Sequence, residues 1–254
     1  AWLEDAYGAR TLLREGVTPP GLLFGQPDYA LWTLTPEAPP GRPRLAFYEA
    51  DLARDAEGRW RLLADRTDAP LGDGWLVANR TAVAQSFAEP FLAAGVRRLA
   101  GHYAGFQDWL EEAAGLEGRV ALLSGGLRDG RHFSHAFFAR YLGAALVEPA
   151  DLTVRAGDAF VKTVDGLKPL SVLLRGVADR ALDALFLPRE AAHGAPALSL
   201  AARSGRLRVA NALGASALGG RAAAPFAHLA CARLLGEDLM IEDAPCLWLG
   251  DPQA

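Results

Sequence analysis

Cysteine, lysine and methionine are scarce in this chain, and no part of it stays apolar for the length of a membrane span. Of its 254 residues only Cys231 and Cys246 are cysteines. Two thiols exclude a disulfide framework and a clustered-cysteine zinc site, and they fit a reducing compartment. An uninterrupted apolar run of about 18 residues is missing, so no transmembrane helix is expected. The opening "AWLEDAYGAR" has neither the basic nor the apolar region of a secretion signal. The expectation is a cytoplasmic protein with no membrane association. A net charge of -4 gives no basic surface on which to expect nucleic acid. Lys162 and Lys168 are the only lysines, so the positive charge is nearly all arginine, a bias that points to a GC-rich genome rather than to a function. The chain opens without Met and runs out at "LWLGDPQA" with no evident cap, which reads as a piece of something longer.

What is present is a globular composition. Hydrophobic residues make up 51% and charged residues 22%, which excludes disorder from low hydrophobicity. Residues 1 to 16 place Trp2, Leu3, Tyr7, Thr11 and Leu12 at helical spacing, and "GVTPPG" ends the run. Residues 27 to 44 are proline-rich and read as loop, with "YALWTL" as a short strand inside it. "RLAFYEADLARDAEGRWRLLADRTDAP" has the form of a β-hairpin turning at "RDAEG", and "WLVANRTAVAQSFAEPFLAAG" that of a helix broken near Pro90.

From residue 119 the pattern changes to strand "RVALLSG", helix "HFSHAFFARYLG", strand "AALVE", hairpin "LTVRAGDAFVKTVDG" and strand "LSVLLRGV". Helix "PALSLAARSG", strand "LRVANAL" and helix "PFAHLACARLLG" follow. Strands alternating with helices predict a Rossmann-like, mostly parallel α/β sheet over 119–254. Residues 1–118 are expected to form a smaller, adjoining α+β lobe.

Ligands of open parallel sheets sit beyond the carboxyl ends of strands, where a helix N-terminus offers free amides. The turn Ser124-Gly125-Gly126 has that position but matches neither G-x-G-x-x-G nor G-x-x-x-x-G-K-[ST]. Either its glycines serve backbone geometry or they let the backbone approach an anionic group. His132 and His135, three apart, share a helix face with no further metal ligand nearby in sequence, so packing competes with ligation. Ser124 and Ser134 lack a G-x-S-x-G setting, which argues against a serine nucleophile. Glu49, Asp51, Asp55, Asp65 and Asp68 cluster on the hairpin, where Glu49 and Asp51 on one face either hold a divalent cation or form a solvated edge. Asn79, Arg80, Arg175, Asp179 and Asn211 fall near the ends of elements, a placement that suits an anionic small molecule.

In order, these segments resemble the circularly permuted type 2 ATP-grasp proteins, relatives of glutathionylspermidine synthase, across nearly the whole chain. "LLSGGLRDGRHFSHAFFARYLGAALVEPADLTVRAG" is similar to the family's L-T-P-G-x-Y-N-E-x-Y-F-E-H-A-F-L-A-R-x-L-G and L-V-E-G-x-D-L-x-V-R-x-G. "RGVADRALDAL" resembles R-R-x-D-D-x-F-x-D-P-L, "ANALGAS" resembles A-N-A-x-G-x-G, and "APCLWLG" resembles V-P-T-W-W-C-G. The lead-in "DAYGARTLLREGVTPPGLL" resembles the family's first helix.

The resemblance implies a pre-ATP-grasp type of sheet and an ATP-dependent ligase that joins a carboxylate to an amine through an acyl phosphate, with magnesium on the phosphates. Active relatives carry G-I-D-L-V-R and L-E-D-N as apparent magnesium ligands. Asp51 keeps the first of these, while Ala64 and Arg66 stand where glutamate and asparagine would be. Leu71, Ala78 and Ser134 are further departures, and Gly176, Ala178 and Arg180 interrupt the R-R-x-D-D element. The family's ATP-clamping lobe, of the form V-V-K-P-x-x-x-S-G-G-x-G, would follow where this chain ends.

What the resemblance implies here is therefore a substrate-side portion with a degenerate magnesium site, binding neither ATP nor magnesium by itself and inactive alone. Its partners would be a small carboxylate or amine substrate and a downstream ATP-grasp lobe or helical domain. The alternative is a noncatalytic, partner-binding scaffold on the same fold. Ser124, Gly125, Gly126, Arg80, Arg175, Asn211 and His135 are the expected substrate contacts, Asp51 is the expected metal ligand, and no residue is assigned as catalytic.

Overall fold

Ala121, Leu122 and Leu123 are apolar in succession, the pattern of a strand covered on both faces, and each is wholly shielded from solvent. The structure, a computed structural model, describes residues 1–33, 43–116, 118–185 and 194–250. In chain order the helices are α1 (Trp2–Tyr7), α2 (Thr11–Arg14), α3 (Pro20–Phe24), α4 (Asp73–Ser86), α5 (Ala88–Ala93), α6 (Ala100–Ala114), α7 (His132–Leu142), α8 (Leu198–Arg203) and α9 (Ala227–Leu235). The strands are β1 (Glu49–Arg54), β2 (Trp60–Arg66), β3 (Arg119–Leu123), β4 (Ala145–Val147), β5 (Leu152–Arg155), β6 (Asp158–Thr163), β7 (Gly166–Arg175), β8 (Arg208–Ala210) and β9 (Glu242–Asp243).

The chain divides at 70/71 and at 210/211 rather than at 118/119, giving one unit of residues 1–70 with 211–254 and another of residues 71–210. The reason is packing. Helix α4 lies on α7, and α6 lies on β3 and β7, so residues 71–118 cover the large sheet. The last stretch returns to the start of the chain, with β9 pairing parallel to β2 and α9 touching α1.

In the unit 71–210, β7 is long enough to serve two sheets. Its second half, Leu170–Arg175, runs parallel to β3, and Val172–Leu174 run parallel to β8 on the other side. Its first half pairs antiparallel with β6, which pairs in turn with β5. With β4 parallel to β3, the order β4-β3-β7-β8 is a parallel Rossmann-like sheet carrying an antiparallel extension, the mixed α/β architecture expected. Val172, Leu173 and Leu174 are also fully shielded. Burying a side chain of this size stabilises by about 1.5–3 kcal/mol, so the crossing of β3 and β7 is the natural centre of the unit.

The unit 1–70 with 211–254 packs Leu3, Ala6, Tyr7, Leu22, Leu23 and Tyr29 against Ala215 and Leu218. The expected single first helix is two. Arg10 adopts a left-handed conformation, and the Asp5 carboxylate accepts the amides of Thr11 at 2.7 Å and Leu12 at 3.0 Å, starting α2 afresh. The prolines that were to end the run open α3, since Pro20 sits in its first turn, where no amide is needed. Leu31–Thr33 form a 3-10 turn in place of the strand read from "YALWTL", and residues 34–42 of the expected loop lie outside the described residues. The hairpin is as expected, with the Asp55 carboxylate closing its turn onto the amides of Glu57 and Arg59. The break after α4 falls at Phe87 (φ -133°), three residues before Pro90. A proline ring collides with the carbonyl four residues back, so the helix yields ahead of the proline and resumes as α5 with Pro90 inside its first turn.

Candidate functional site

At the carboxyl end of β3 the chain leaves the sheet through Ser124, whose amide still donates to the Val147 carbonyl of β4 at 2.8 Å. The next residues must turn onto α7, and Gly126 does so with φ at +82°, a region that L side chains rarely adopt. Ser124 itself is buried. Its Oγ lies 3.3 Å from Nδ1 of His132 and 3.2 Å from Nδ1 of His135, and it accepts the Gly126 amide at 3.3 Å. One hydroxyl hydrogen serves one imidazole, so the other ring presents a protonated Nδ1 to the oxygen. The hydroxyl is saturated, which makes Ser124 the hub of the turn and not a free nucleophile.

His135 is wholly buried, and its Nε2 has no hydrogen-bond partner among the described residues. Nε2 faces the Cα of Gly176, where an added Cβ would lie 2.9 Å from that nitrogen and 2.6 Å from the Leu123 carbonyl oxygen. Burial, then the nearby Arg131 guanidinium, pull the His135 pKa down from 6.5 to about 4. The folded protein thus keeps this ring neutral, while the unfolded chain takes up a proton below about pH 6.5. Because the unfolded state binds more protons in that window, unfolding free energy should fall as the pH drops from 6.5 to about 4, then level off for this group. Chemical denaturation across that range checks it. His135→Gln should flatten the slope, and an unchanged slope would refute the assignment.

Carboxylates, not open space, meet the two glycines. A Cβ on Gly125 would lie 2.8 Å from Asp129 Oδ2, and one on Gly126 would lie 2.9 Å from both carboxylate oxygens of Glu148. Asp129 accepts the Arg131 amide just ahead of α7 at 2.9 Å, so the protein's own carboxylate already takes the helix-end amide that an anionic ligand would seek. Asp129 and Glu148 were not singled out from the sequence. "RDGRH" ahead of a helix carries an Asx-turn signal for the first, while the second needed the β3–β4 pairing to be placed.

The other expected contacts are spread out. Arg175, at the end of β7, is fully buried, 3.1 Å from the Asp179 carboxylate, and donates to the Val177 carbonyl at 3.0 Å. No ligand on the surface reaches it, and its role is to hold the β7 exit. Asn211 belongs to the other unit. Its Oδ1 accepts the amides of Ala46 and Phe47 and its Nδ2 donates to the carbonyls of Phe47 and Thr67, all at 2.8–2.9 Å, so the amide is spent on backbone. Arg80 projects from α4 and donates to the Arg97 carbonyl. Of the family departures, Ser134 and Leu71 meet: the buried Ser134 hydroxyl donates to the Leu71 carbonyl at 3.0 Å.

Asp51 sits directly across the hairpin from Ala64, and its carboxylate takes both arms of Arg66, at 3.0 and 2.6 Å. This fork holds the Asp51 carboxyl below the usual carboxylate range. A magnesium ion requires oxygen donors in octahedral array. Here alanine offers none and a guanidinium covers the remaining carboxylate, so the residues present do not fit the ion. Among the described residues no group of three or more His, Cys, Asp or Glu side chains is placed to hold a metal, and no helix is long and apolar enough to cross a membrane.

Comparison with known proteins places this arrangement. The family profile described as circularly permuted ATP-grasp type 2 matches residues 1–254. An uncharacterized protein of Mycobacterium tuberculosis is 33% identical over 253 residues, covering 98% of this chain and 28% of its own length. An uncharacterized protein of Mycobacterium leprae is 29% identical over 216 residues, covering 84% of this chain and 38% of its own. A putative glutamate–cysteine ligase 2-2 of Frankia casuarinae is 31% identical over 264 residues, spanning all of this chain and 30% of its own length. The chain therefore spans well under half of each of these relatives. Matched from its first residue to its last, it belongs to the circularly permuted type 2 ATP-grasp family.

Proposed function

We propose that this chain is the substrate-side portion of a carboxylate–amine ligase-like protein, related to glutathionylspermidine synthase, that binds its substrate without activating it. The Arg66 fork on Asp51, with Ala64 opposite, carries the reading. The position where the family would place a magnesium-bound nucleotide holds a closed ion pair, so activation of a carboxylate by ATP is left to the rest of a longer protein or is lost. What remains for these residues is recognition. Glu148 brings a carboxylate to the glycine turn at the carboxyl end of β3, suited to the ammonium group of an amine substrate, while Asp129 beside it is already paired with the Arg131 guanidinium at 3.3 Å.

The test is magnesium and nucleotide binding followed by thermal unfolding. Millimolar Mg-ATP is expected to leave the melting temperature of this chain unchanged, and a polyamine to raise it, because only a ligand of the folded state stabilises. Ala64→Glu with Arg66→Asn restores two oxygen donors and should bring a magnesium-dependent rise. If Mg-ATP stabilises the unaltered chain and Asp51→Asn abolishes the effect, the proposal fails.

A second reading, a noncatalytic scaffold that docks a partner domain, is favoured by aromatic residues exposed on α4 and α7. The Trp75 and Phe133 rings meet at a tilt with their centres 4.5 Å apart, while each is about half exposed (51% and 49%).

A further inference from the structure

Away from the glycine turn, α4, α5 and the segment leading into α6 enclose a groove of about 420 Å³, within the size range of small-molecule sites. Val77, Phe91 and Tyr103 contribute apolar surface to it. Arg80, Arg97 and Arg98 also line it, and no aspartate or glutamate does. The Tyr103 hydroxyl is engaged by Asp73 at 2.7 Å, so the ring presents carbon to the groove while its polar end is satisfied elsewhere. Arg80 is steered by its bond to the Arg97 carbonyl, which ties a helix cation to the loop that bears the other two.

We infer that this groove is a binding site for an anionic small molecule with an apolar body, a carboxylate on an aromatic or branched aliphatic frame. Two features support it. A protein with a net charge of -4 gathers three arginines and no lining carboxylate around one concavity, with Asp73 set behind Tyr103 and bound to its hydroxyl, which leaves the lining positive. The apolar lining in turn rewards a ligand that brings hydrocarbon along with its charge, since a fully solvated small anion gains little from Val77 and Phe91. Guanidinium forks also match the planar carboxylate better than a point charge would.

The inference deepens the reading of this chain as a substrate-binding portion by giving the acid its own site, distinct from the carboxylate-rimmed turn proposed for an amine. The two are separable by experiment, because the hairpin test reads magnesium and this one reads an organic acid. Isothermal titration of the chain with 3-phenylpropionate, 3-phenylpropionamide, acetate and phenyl phosphate is the measurement. Binding is expected for 3-phenylpropionate, weakening as salt is raised, and at least about tenfold weaker for the amide and for acetate, the loss of one charge-assisted contact or of the apolar body. Phenyl phosphate separates the anion sources, and binding more tightly than the carboxylate would overturn the assignment to a carboxylic acid.

Arg97→Gln with Arg98→Gln should weaken 3-phenylpropionate by about tenfold or more. Ala84→Trp, which fills the groove and leaves every arginine in place, should abolish binding and guards against an arginine variant that misfolds. Equal binding of acid and amide, unaltered affinity in both variants, or no binding of any probe would each refute the site.

Discussion

Replacing Asp179 by alanine is expected to lower the unfolding free energy by about 3–5 kcal/mol, the range for breaking a buried ion pair by removing one partner. Arg175 is fully buried, so removing the carboxylate at 3.1 Å takes a charge partner away from a guanidinium that water does not reach. Arg175 is paired in register with Leu123 across β3 and β7, and the exit of β7 toward Gly176 and His135 is expected to loosen with the loss. Urea denaturation measures the effect. A double variant, Arg175→Met with Asp179→Leu, should recover most of the loss, because apolar replacements of similar volume remove the desolvated charge along with its partner. A single-variant loss under about 1 kcal/mol, the range of exposed pairs, would show that the pair is solvated.

The second large effect is expected at Gly74, where α4 crosses α7. A Cβ there would lie 2.0 Å from the Ser134 carbonyl oxygen and 2.7 Å from two further backbone atoms of that residue. The obstacle is helix backbone, which cannot rotate aside as a side chain would, so Gly74→Ala must push the two helices apart. The cost should reach about 3 kcal/mol, the upper end of ordinary overpacking, and the Ser134 to Leu71 hydrogen bond should break with it. Gly105 in the interior of α6 is the control, since nothing lies within 4 Å of its missing Cβ. Gly105→Ala should stabilise by about 0.5–1 kcal/mol through helix propensity alone. Thermal melts of the two variants should move in opposite directions, and a Gly74→Ala melt equal to that of the parent would mean that the crossing is not as close as described.

Local pattern made much of the architecture legible. "RVALLSG", "HFSHAFFARYLG" and "LSVLLRGV" announce β3, α7 and β7 because unbroken apolar runs and helical spacing are properties of neighbouring residues. The hairpin could be read as two strands about the turn at "RDAEG", but its register could not, because an irregularity between Asp51 and Leu52 shifts the pairing by one and sets Ala64, not Leu63, opposite Asp51. Helix boundaries were less legible where one side chain decides them, as Asp5 does for α2. Helix α6 was not read at all, and its apolar face becomes meaningful only against β3 and β7.

By itself, then, the sequence determined most of the strands and helices after residue 119, the hairpin at 49–66, the family resemblance, and the presence of Ala64 and Arg66 beside Asp51, all consequences of composition and spacing over a few residues. Tertiary structure alone decided that Asp129 and Glu148 crowd the glycine turn, that Arg175 is shut in with Asp179, that Asn211 spends its amide on residues 144 to 165 positions away, and that the chain divides at 70/71 and 210/211. Those outcomes depend on which distant segments meet when apolar faces are buried. The free energy that brings them together has no direction along the chain, so no window of sequence records it.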